Sequence, residues 1–378
     1  MEQKKAVRVL QIGLCDGLFG GVERVVLNWY KTIEKNKIQF DFLSPYKSTY
    51  ETHRKEIEKL GGNIYTLGIK RDGVRAKLRY NRALKEFLIE HQYKIVHINS
   101  GLFLFQLQVV LACRRAKVPV VISHSHSCPN FSFIKKIIVN ILKPLLFKKS
   151  TVRLACSKTA AYSIFPKKRV DNGQVIQIKN GIDTKKFKYS ADNRKKWRKE
   201  FGVRDEVVYV NVGRFSKEKN HEFLIKVFSE IYKKQNNAKL VLVGEGPLKP
   251  AIMESVKNYG IEDAVVFLPA SDCVCEILSA ADVYIIPSLF EGFPVTGLEA
   301  QASGLPVFYS SSITNEIEIT DHVYPISLES SAKEWANTIV SHQPFSINRA
   351  NGAKEVFDAG YDFTESAKEI EEIYLKYV

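Results

Sequence analysis

The apolar positions of this chain fall into two kinds of stretch. Short, largely apolar runs at Val7–Ile12, Phe40–Leu43, Ile95–Ile98, Val118–Ser123, Val152–Cys156 and Val175–Ile178 predict one set of strands. Runs at Val207–Val212, Leu240–Val243, Val265–Leu268, Val283–Ile286 and Val307–Tyr309 predict a second. Between them lie longer segments whose apolar residues recur at helical spacing, among them Val22–Ile33, Leu78–His91, Glu222–Tyr232 and Ala332–Ile339. Strands that are mainly apolar suit burial on both faces, and their alternation with helices predicts parallel sheets covered on both sides. The fold class is therefore α/β, with two doubly wound, Rossmann-like domains. The break is expected after Asn180-Gly-Ile-Asp183, where the charged run Arg194-Lys-Lys-Trp-Arg-Lys199 begins the next segment. This gives domains over residues 1–185 and 186–360, with 361–378, carrying the helical stretch Glu365–Tyr377, as a closing segment.

Composition changes the picture in one respect. At 378 residues, 45% hydrophobic and 26% charged, the chain has the make-up of a globular protein with two sizeable cores. Its first residues run directly into a strand, and no apolar stretch reaches the roughly 18 residues of a spanning helix, so a cytoplasmic protein is expected. The six cysteines lack metal-ligand spacing and read as reduced thiols. The net charge of +15, however, is divided unequally. Residues 1–200 hold 41 Lys and Arg against 15 Asp and Glu, whereas residues 201–378 hold 15 against 26. A basic half of this kind meets an anion, for which nucleic acid and anionic membrane are the usual candidates.

Candidate chemistry concentrates in the acidic half. In Pro287-Ser-Leu-Phe-Glu-Gly-Phe-Pro-Val-Thr-Gly-Leu-Glu299 a strand ends in a Gly/Pro loop that opens a helix, with Pro294 at its first turn and Gly304 past its end. The N–H groups and dipole of such a helix tip attract anions. Glu291 stands before the tip, and Glu299 lies roughly 7 Å beyond it at about 1.5 Å per residue. A diphosphate flanked by hydroxyl-bearing sugars, which is a nucleotide-sugar, suits that layout. Gly213-Arg214 and Lys219 follow another strand end, where ligands of open α/β sheets bind. Arg214 can grip phosphate bidentately and Lys219 supplies a point charge. Gly244 and Gly246 mark a third strand end.

These segments resemble the family-4 retaining glycosyltransferases of bacterial capsule and exopolysaccharide assembly. Glu291 to Glu299 matches the E-x7-E signature, and Pro287-Ser, Glu291-Gly-Phe and Glu299-Ala-Gln-Ala-Ser-Gly304-Leu-Pro306 match around it. Gly213-Arg-Phe-Ser-Lys-Glu-Lys219-Asn220 resembles the family's Gly-Arg-Leu-x-x-x-Lys-Gly, with Asn220 for the last glycine, and Gly244-Glu-Gly246-Pro its Gly-x-Gly-Pro. Pro269 stands where the family has Gly. The resemblance implies a GT-B fold, two domains facing a cleft, and a final helix crossing back to the first. It implies that Arg214 and Lys219 stabilise the departing nucleoside diphosphate without a metal, that Glu291 holds the transferred sugar and Glu299 the ribose. The N–H groups of Val295 and Thr296, beside Phe293 and Pro294, would meet the phosphates. Beyond the donor substrate, expected to be UDP-linked, no cofactor is implied.

In the basic half, Gly20-Gly21-Val-Glu-Arg24 resembles the family's Gly-Gly-x-E/A-R stretch. Val120-Val-Ile-Ser-His124-Ser-His126 ends a strand with two histidines on one side, an awkward pair for a core. The family's cleft histidine falls on one of them, His126 being preferred over His124. The basic, apolar segment Phe131–Lys149 reads either as a membrane-surface helix or as a core helix kinked near Pro144. Lys70, Arg71, Arg75, Lys77 and Arg79 add to the positive half. The expected partners are a lipid-linked saccharide acceptor and an anionic membrane at the inner face of the cell membrane. Two rival readings are a nucleotide-sugar 2-epimerase of the same architecture and a nucleic-acid module. The second lacks a helix-turn-helix signature or basic strands interleaved with aromatics.

Overall fold

The computed structural model describes residues 6–13, 21–44, 53–69, 73–128, 132–343 and 348–378. The chain divides into two compact units, one of residues 1–181 with 363–378 and one of residues 182–362.

The first unit runs β1 (Val7–Ile12), α1 (Gly21–Thr32), β2 (Ile38–Ser44), α2 (Arg54–Lys59), β3 (Asn63–Thr66), α3 (Gly73–His91), β4 (Ile95–Asn99), α4 (Phe103–Arg115), β5 (Val120–Ser125), α5 (Phe133–Lys149), β6 (Val152–Ala155), α6 (Lys158–Ile164), α7 (Lys167–Asp171) and β7 (Ile176–Gln177). The strands form one parallel sheet in the order β3-β2-β1-β4-β5-β6-β7. Alternate residues of each strand feed two cores. Val9 packs with Trp29, Phe40 and Ile122, while Leu10 packs with Val96, Val109 and Val121. The register pairs Gln11 with His97 and Asn99 with His124, which sets these four polar side chains on one face.

The second unit runs α8 (Ala191–Glu200), β8 (Val207–Val212), α9 (His221–Lys234), β9 (Ala238–Val243), α10 (Lys249–Asn258), β10 (Val265–Leu268), α11 (Val274–Ala280), β11 (Val283–Ile286), α12 (Val295–Ala302), β12 (Val307–Ser310), β13 (Val323–Ile326), α13 (Ala332–Ser341) and α14 (Gly352–Asp358). Its parallel order, β10-β9-β8-β11-β12-β13, reverses direction between β8 and β11. Ligands of such sheets bind at the carboxyl ends of the two strands flanking that reversal. Arginines lock the opposite end. Asp282 accepts Arg194 at 2.6 Å, Arg198 at 3.1 Å and the Val208 N–H at 2.8 Å. The Arg349 guanidinium donates to the carbonyls of Leu278, Ser279, Ala281 and Ser303, at the carboxyl ends of α11 and α12.

Helix α15 (Phe363–Leu375) returns to the first unit and packs on α1. It buries Ala367, Ile370, Ile373 and Tyr374 in that unit's core. Trp29 donates its indole N–H to Ser366 across the same contact at 3.0 Å. Strands β3 and β13, which the apolar runs do not predict, occupy sheet edges. Helix α5 continues through Pro144 and buries only Val139 and Leu146.

Candidate active site

At the carboxyl end of β8 the chain turns through Gly213 and exposed Arg214. Two glycines let the next loop press against this turn. At Gly244, whose φ is +151°, a Cβ would stand 2.0 Å from the Gly213 carbonyl oxygen, and at Gly246 one would stand 2.4 Å from that of Phe215. Only a residue without a side chain fits at either place. The contact is held by Gly213 N–H to Val243 O at 3.0 Å and Phe215 N–H to Glu245 O at 3.0 Å. Phe215 is buried against His221, whose ionisation burial depresses to about 4, with Lys219 adding to the effect.

Asn220 supplies the left-handed turn, φ 54° and ψ 41°, that leads into α9. Asn adopts this conformation more readily than most residues, so it can stand where the resembling motif has glycine. Its side chain also donates to the Pro287 carbonyl at 3.1 Å, and Leu289 N–H donates to Glu218 O at 2.8 Å. The loops after β8 and β11 are thus tied together. The Lys219 stem lies across Gly213, with Cε 3.5 Å from where a Cβ would be. Its Nζ reaches Glu291 Oε2 at 2.8 Å, and Ser288 donates to Glu291 Oε1 at 2.6 Å. The two charged side chains are 22% and 10% exposed, so the pair is neither buried nor freely solvated.

Pro294 is the N-cap of α12, and Val295 and Thr296 open the helix half-buried. Phe293 is buried and stacks on Tyr361, with centroids 5.3 Å apart. Glu299 is 2% exposed on the same helix. Tyr284 on β11, fully buried, exchanges hydrogen bonds with the Val212 backbone and sits beside Thr296. Burial pushes its phenol far above the ordinary range, and the charges of Glu299 and Glu291 push it further. Gly213, Arg214, Lys219, Gly244, Gly246, Glu291 and the start of α12 therefore belong to one end of one sheet. Tyr284, Ser288 and the ties made by Asn220 are contributors that the sequence reading did not single out.

In the first unit, Gly21 begins α1 and is exposed, while Gly20 lies outside the described residues, as do Lys70 and Arg71. His124 and His126 lie on one side of β5 and its continuation, and both are buried. The core accommodates them because it is polar here. His97 Nε2 is 3.1 Å from His124 Nδ1, and His126 Nε2 is 3.1 Å from Asn99 Oδ1. Trp29 stacks on His97 and His124 at centroid distances of 6.1 and 5.7 Å. Burial depresses all three imidazoles, His126 to about 3, so they are neutral at physiological pH.

Two parallel, doubly wound lobes joined in this way define the GT-B fold of glycosyltransferases. Glycosyltransferase Family 4 matches residues 19–186, and Glycosyl transferases group 1 matches residues 193–339. The chain is 31% identical over 366 residues, 94% of its own length and 93% of the other, to EpsF of Bacillus subtilis (strain 168), a protein named as a glycosyltransferase. It belongs to that family and is a glycosyltransferase. It is also 29% identical over 240 residues, 61% of this chain and 60% of the other, to an Escherichia coli enzyme. That enzyme is a UDP-Gal:alpha-D-GlcNAc-diphosphoundecaprenol alpha-1,3-galactosyltransferase. Among solved structures, Anabaena Alr3699/HepE in complex with UDP and glucose superposes with a TM-score of 0.79 at 17% identity, over 98% of this chain and 100% of that one.

Proposed function

We propose that the protein transfers a hexose or N-acetylhexosamine, with retention at the anomeric carbon, from a UDP-sugar to a lipid-diphosphate-linked saccharide in cell-surface polysaccharide synthesis. The observation that carries this reading is the ion pair of Lys219 with Glu291, with Arg214 exposed on the same loop as Lys219, at the carboxyl ends of β8 and β11. Two cations at the point where the sheet reverses suit a diphosphate, and a carboxylate beside them suits sugar hydroxyls. In this reading the acceptor hydroxyl attacks the anomeric carbon as the bond to the β-phosphate oxygen breaks. The acceptor proton passes to the departing phosphate, and Arg214 and Lys219 stabilise the charge that develops there. Glu299 takes the ribose hydroxyls, the N–H groups of Val295 and Thr296 the phosphates, and His126 the sugar side. The UDP donor is supported by the ligand of the Anabaena structure, and the lipid-diphosphate acceptor by the name of the Escherichia coli relative.

Helix α5 supports work at a membrane surface. Phe133, Ile134, Ile137, Ile138, Ile141 and Leu145 form an exposed stripe, with Phe133 79% and Ile141 70% exposed. Lys135, Lys136, Lys148 and Lys149 flank it. Apolar insertion joined to attraction for anionic lipid, about 1 kcal/mol per basic residue near the surface, fits peripheral docking at the inner face. No helix among the described residues is long and apolar enough to cross a membrane.

Incubating the purified protein with UDP-sugars, with and without a lipid-diphosphate-linked saccharide, tests the chemistry. Acceptor-dependent release of UDP is expected. Formation of a 2-epimer without acceptor would instead establish the epimerase reading. Flotation with anionic liposomes tests docking. Binding at low salt that Ile134→Asp with Ile141→Asp abolishes is expected, and no binding by the unaltered chain refutes it.

A further inference from the structure

Strands β8 and β11 part before either ends. Their ladder holds Val283 against Tyr209 and Tyr284 against Val210, and stops there. On their outer sides the same strands stay paired further, β8 with β9 as far as Val212 and β11 with β12 as far as Ile286. Asn211 and Val212 on one side, and Ile285 and Ile286 on the other, therefore border a split at the carboxyl end of the sheet, where its order reverses. Buried backbone groups along such a split need partners. Asn211 Nδ2 donates to the Ile285 carbonyl at 2.7 Å, and Asn220 Nδ2 to that of Pro287 at 3.1 Å. Gly213 N–H turns to β9, 3.0 Å from Val243 O, so the N–H and carbonyl of Val212 turn the other way, into the split.

The phenol of Tyr284 meets both. Its oxygen accepts Val212 N–H at 3.3 Å, and its hydroxyl donates to Val212 O at 3.2 Å. The side chain is fully buried, and burial keeps the phenol neutral, with one proton to give and lone pairs left to accept. That proton goes to the Val212 carbonyl, which leaves the Thr296 hydroxyl to donate to the phenol oxygen. Val212 is the residue before Gly213 and Arg214, and Thr296 stands in the first turn of α12. One oxygen joins the turn that carries a cation to the helix tip that presents N–H groups.

We propose that Tyr284 is a positioning residue for the donor diphosphate, its hydroxyl setting the separation between the turn of Gly213 and Arg214 and the tip of α12. An anion gripped from two sides is held well when both sides keep their spacing, and a misplacement of about 1 Å in such a site can cost roughly 10²-fold in rate. Phenylalanine in place of Tyr284 would keep the packing and lose the hydrogen bonds to Val212 and Thr296. The inference rests on the sugar-transfer reading for its ligand, a nucleoside diphosphate.

Calorimetry on the full chain with UDP and with UMP tests it. The unaltered chain should prefer UDP. In Tyr284→Phe the affinity for UDP should fall about tenfold and that for UMP by no more than about twofold, the larger loss being that of leaving a buried group unmet. A lowered melting temperature with the preference for UDP unchanged would make Tyr284 purely structural and overturn the proposal. In the Arg214→Ala background, removing the hydroxyl should cost less UDP affinity than it does alone, and an equal cost overturns the proposal too. If the unaltered chain binds no UDP, the sugar-transfer reading fails and takes this inference with it. UDP binding with an unchanged preference in the variant fails this inference alone. Should Tyr284→Phe not fold, a crystal of the unaltered chain with UDP decides. The diphosphate is expected between Arg214 and the N–H groups of Val295 and Thr296, with the Tyr284 hydroxyl still bonded to Val212. A diphosphate elsewhere, or a phenol turned away from Val212, overturns the proposal.

Discussion

Replacing Lys219 by Ala separates two things the side chain can do. Its Nζ is 2.8 Å from Glu291 Oε2, and the partners are 22% and 10% exposed. Two unit charges at that distance attract by about 6 kcal/mol at an effective dielectric constant of 20, an upper bound. Desolvation and partial exposure reduce the net worth of the pair to about 1–2 kcal/mol. Glu291 keeps the Ser288 hydroxyl at 2.6 Å, so the variant should fold and lose only a few degrees of melting temperature. The catalytic loss should be larger. Removing a preorganised group that stabilises developing charge costs roughly 10²- to 10³-fold in kcat, about 3–4 kcal/mol. The assay is initial-rate UDP release with saturating acceptor, alongside thermal unfolding. A kcat within about threefold of the unaltered enzyme, with the melting temperature lowered, would refute the reasoning. Lys219 would then only hold Glu291 and the loop. Lys219→Ala with Glu291→Gln discriminates further, because a purely structural Lys219 makes the double variant no slower than Glu291→Gln alone.

Three further outcomes are expected. Glu299→Ala should weaken UDP binding by roughly tenfold in calorimetry, the value of one or two charge-assisted hydrogen bonds; an unchanged affinity would contradict the ribose assignment. Gly244→Ala should lower urea stability by about 2–4 kcal/mol or prevent folding, because its Cβ would meet the Gly213 carbonyl oxygen at 2.0 Å on a backbone of φ +151°. An unaffected denaturation midpoint would show that the loops after β8 and β9 separate easily. The buried histidines should make the first unit acid-sensitive. Burial lowers their folded-state ionisation, His126 from 6.5 to about 3, so the unfolded chain binds more protons. Stability therefore falls as pH drops below 6.5 towards 3, by up to about 1.4 kcal/mol per pH unit for each histidine. Chemical denaturation from pH 7.5 to 4.5 checks this, and His126→Gln should flatten the slope.

The two-series α/β pattern was legible because a buried parallel strand is written as a short, mainly apolar run. Val7–Ile12, Val207–Val212 and Val283–Ile286 are strands over the same residues in the fold, as is the edge strand Val265–Leu268. Strand β13 escaped because it is an edge that contains Pro325, which reads against a strand but does no harm where a ladder is missing. β3 is likewise an edge, only Asn63–Thr66, with no buried residue. Among the site residues, the glycines and Pro294 were visible as punctuation. The ion pair of Lys219 with Glu291 was not, since nothing local couples residues on different strand loops. His124 and His126 are awkward for a core on sequence alone because polar residues in a strand suggest a wet face. What makes them fit is His97, Asn99, Gln11 and Tyr374, which arrive from other strands and from the end of the chain. The apolar residues of α5 carried no sign of which side faced inward, since a helix apolar around most of its girth suits either a core or a lipid surface.

The return of α15 to the first unit has a further consequence for how the chain can be cut and joined. Residues 182–362 form a cassette inserted into a host whose two pieces flank it. The ends of that cassette already touch, through Ile182 N–H to Tyr361 O at 2.9 Å and the bridge from Ile182 to Asp362. An insert whose ends meet can be exchanged for another without stretching its host. Recombination at these two seams therefore exchanges the inserted unit and leaves the other unchanged, whereas trimming the last helix would damage the unit that begins the chain.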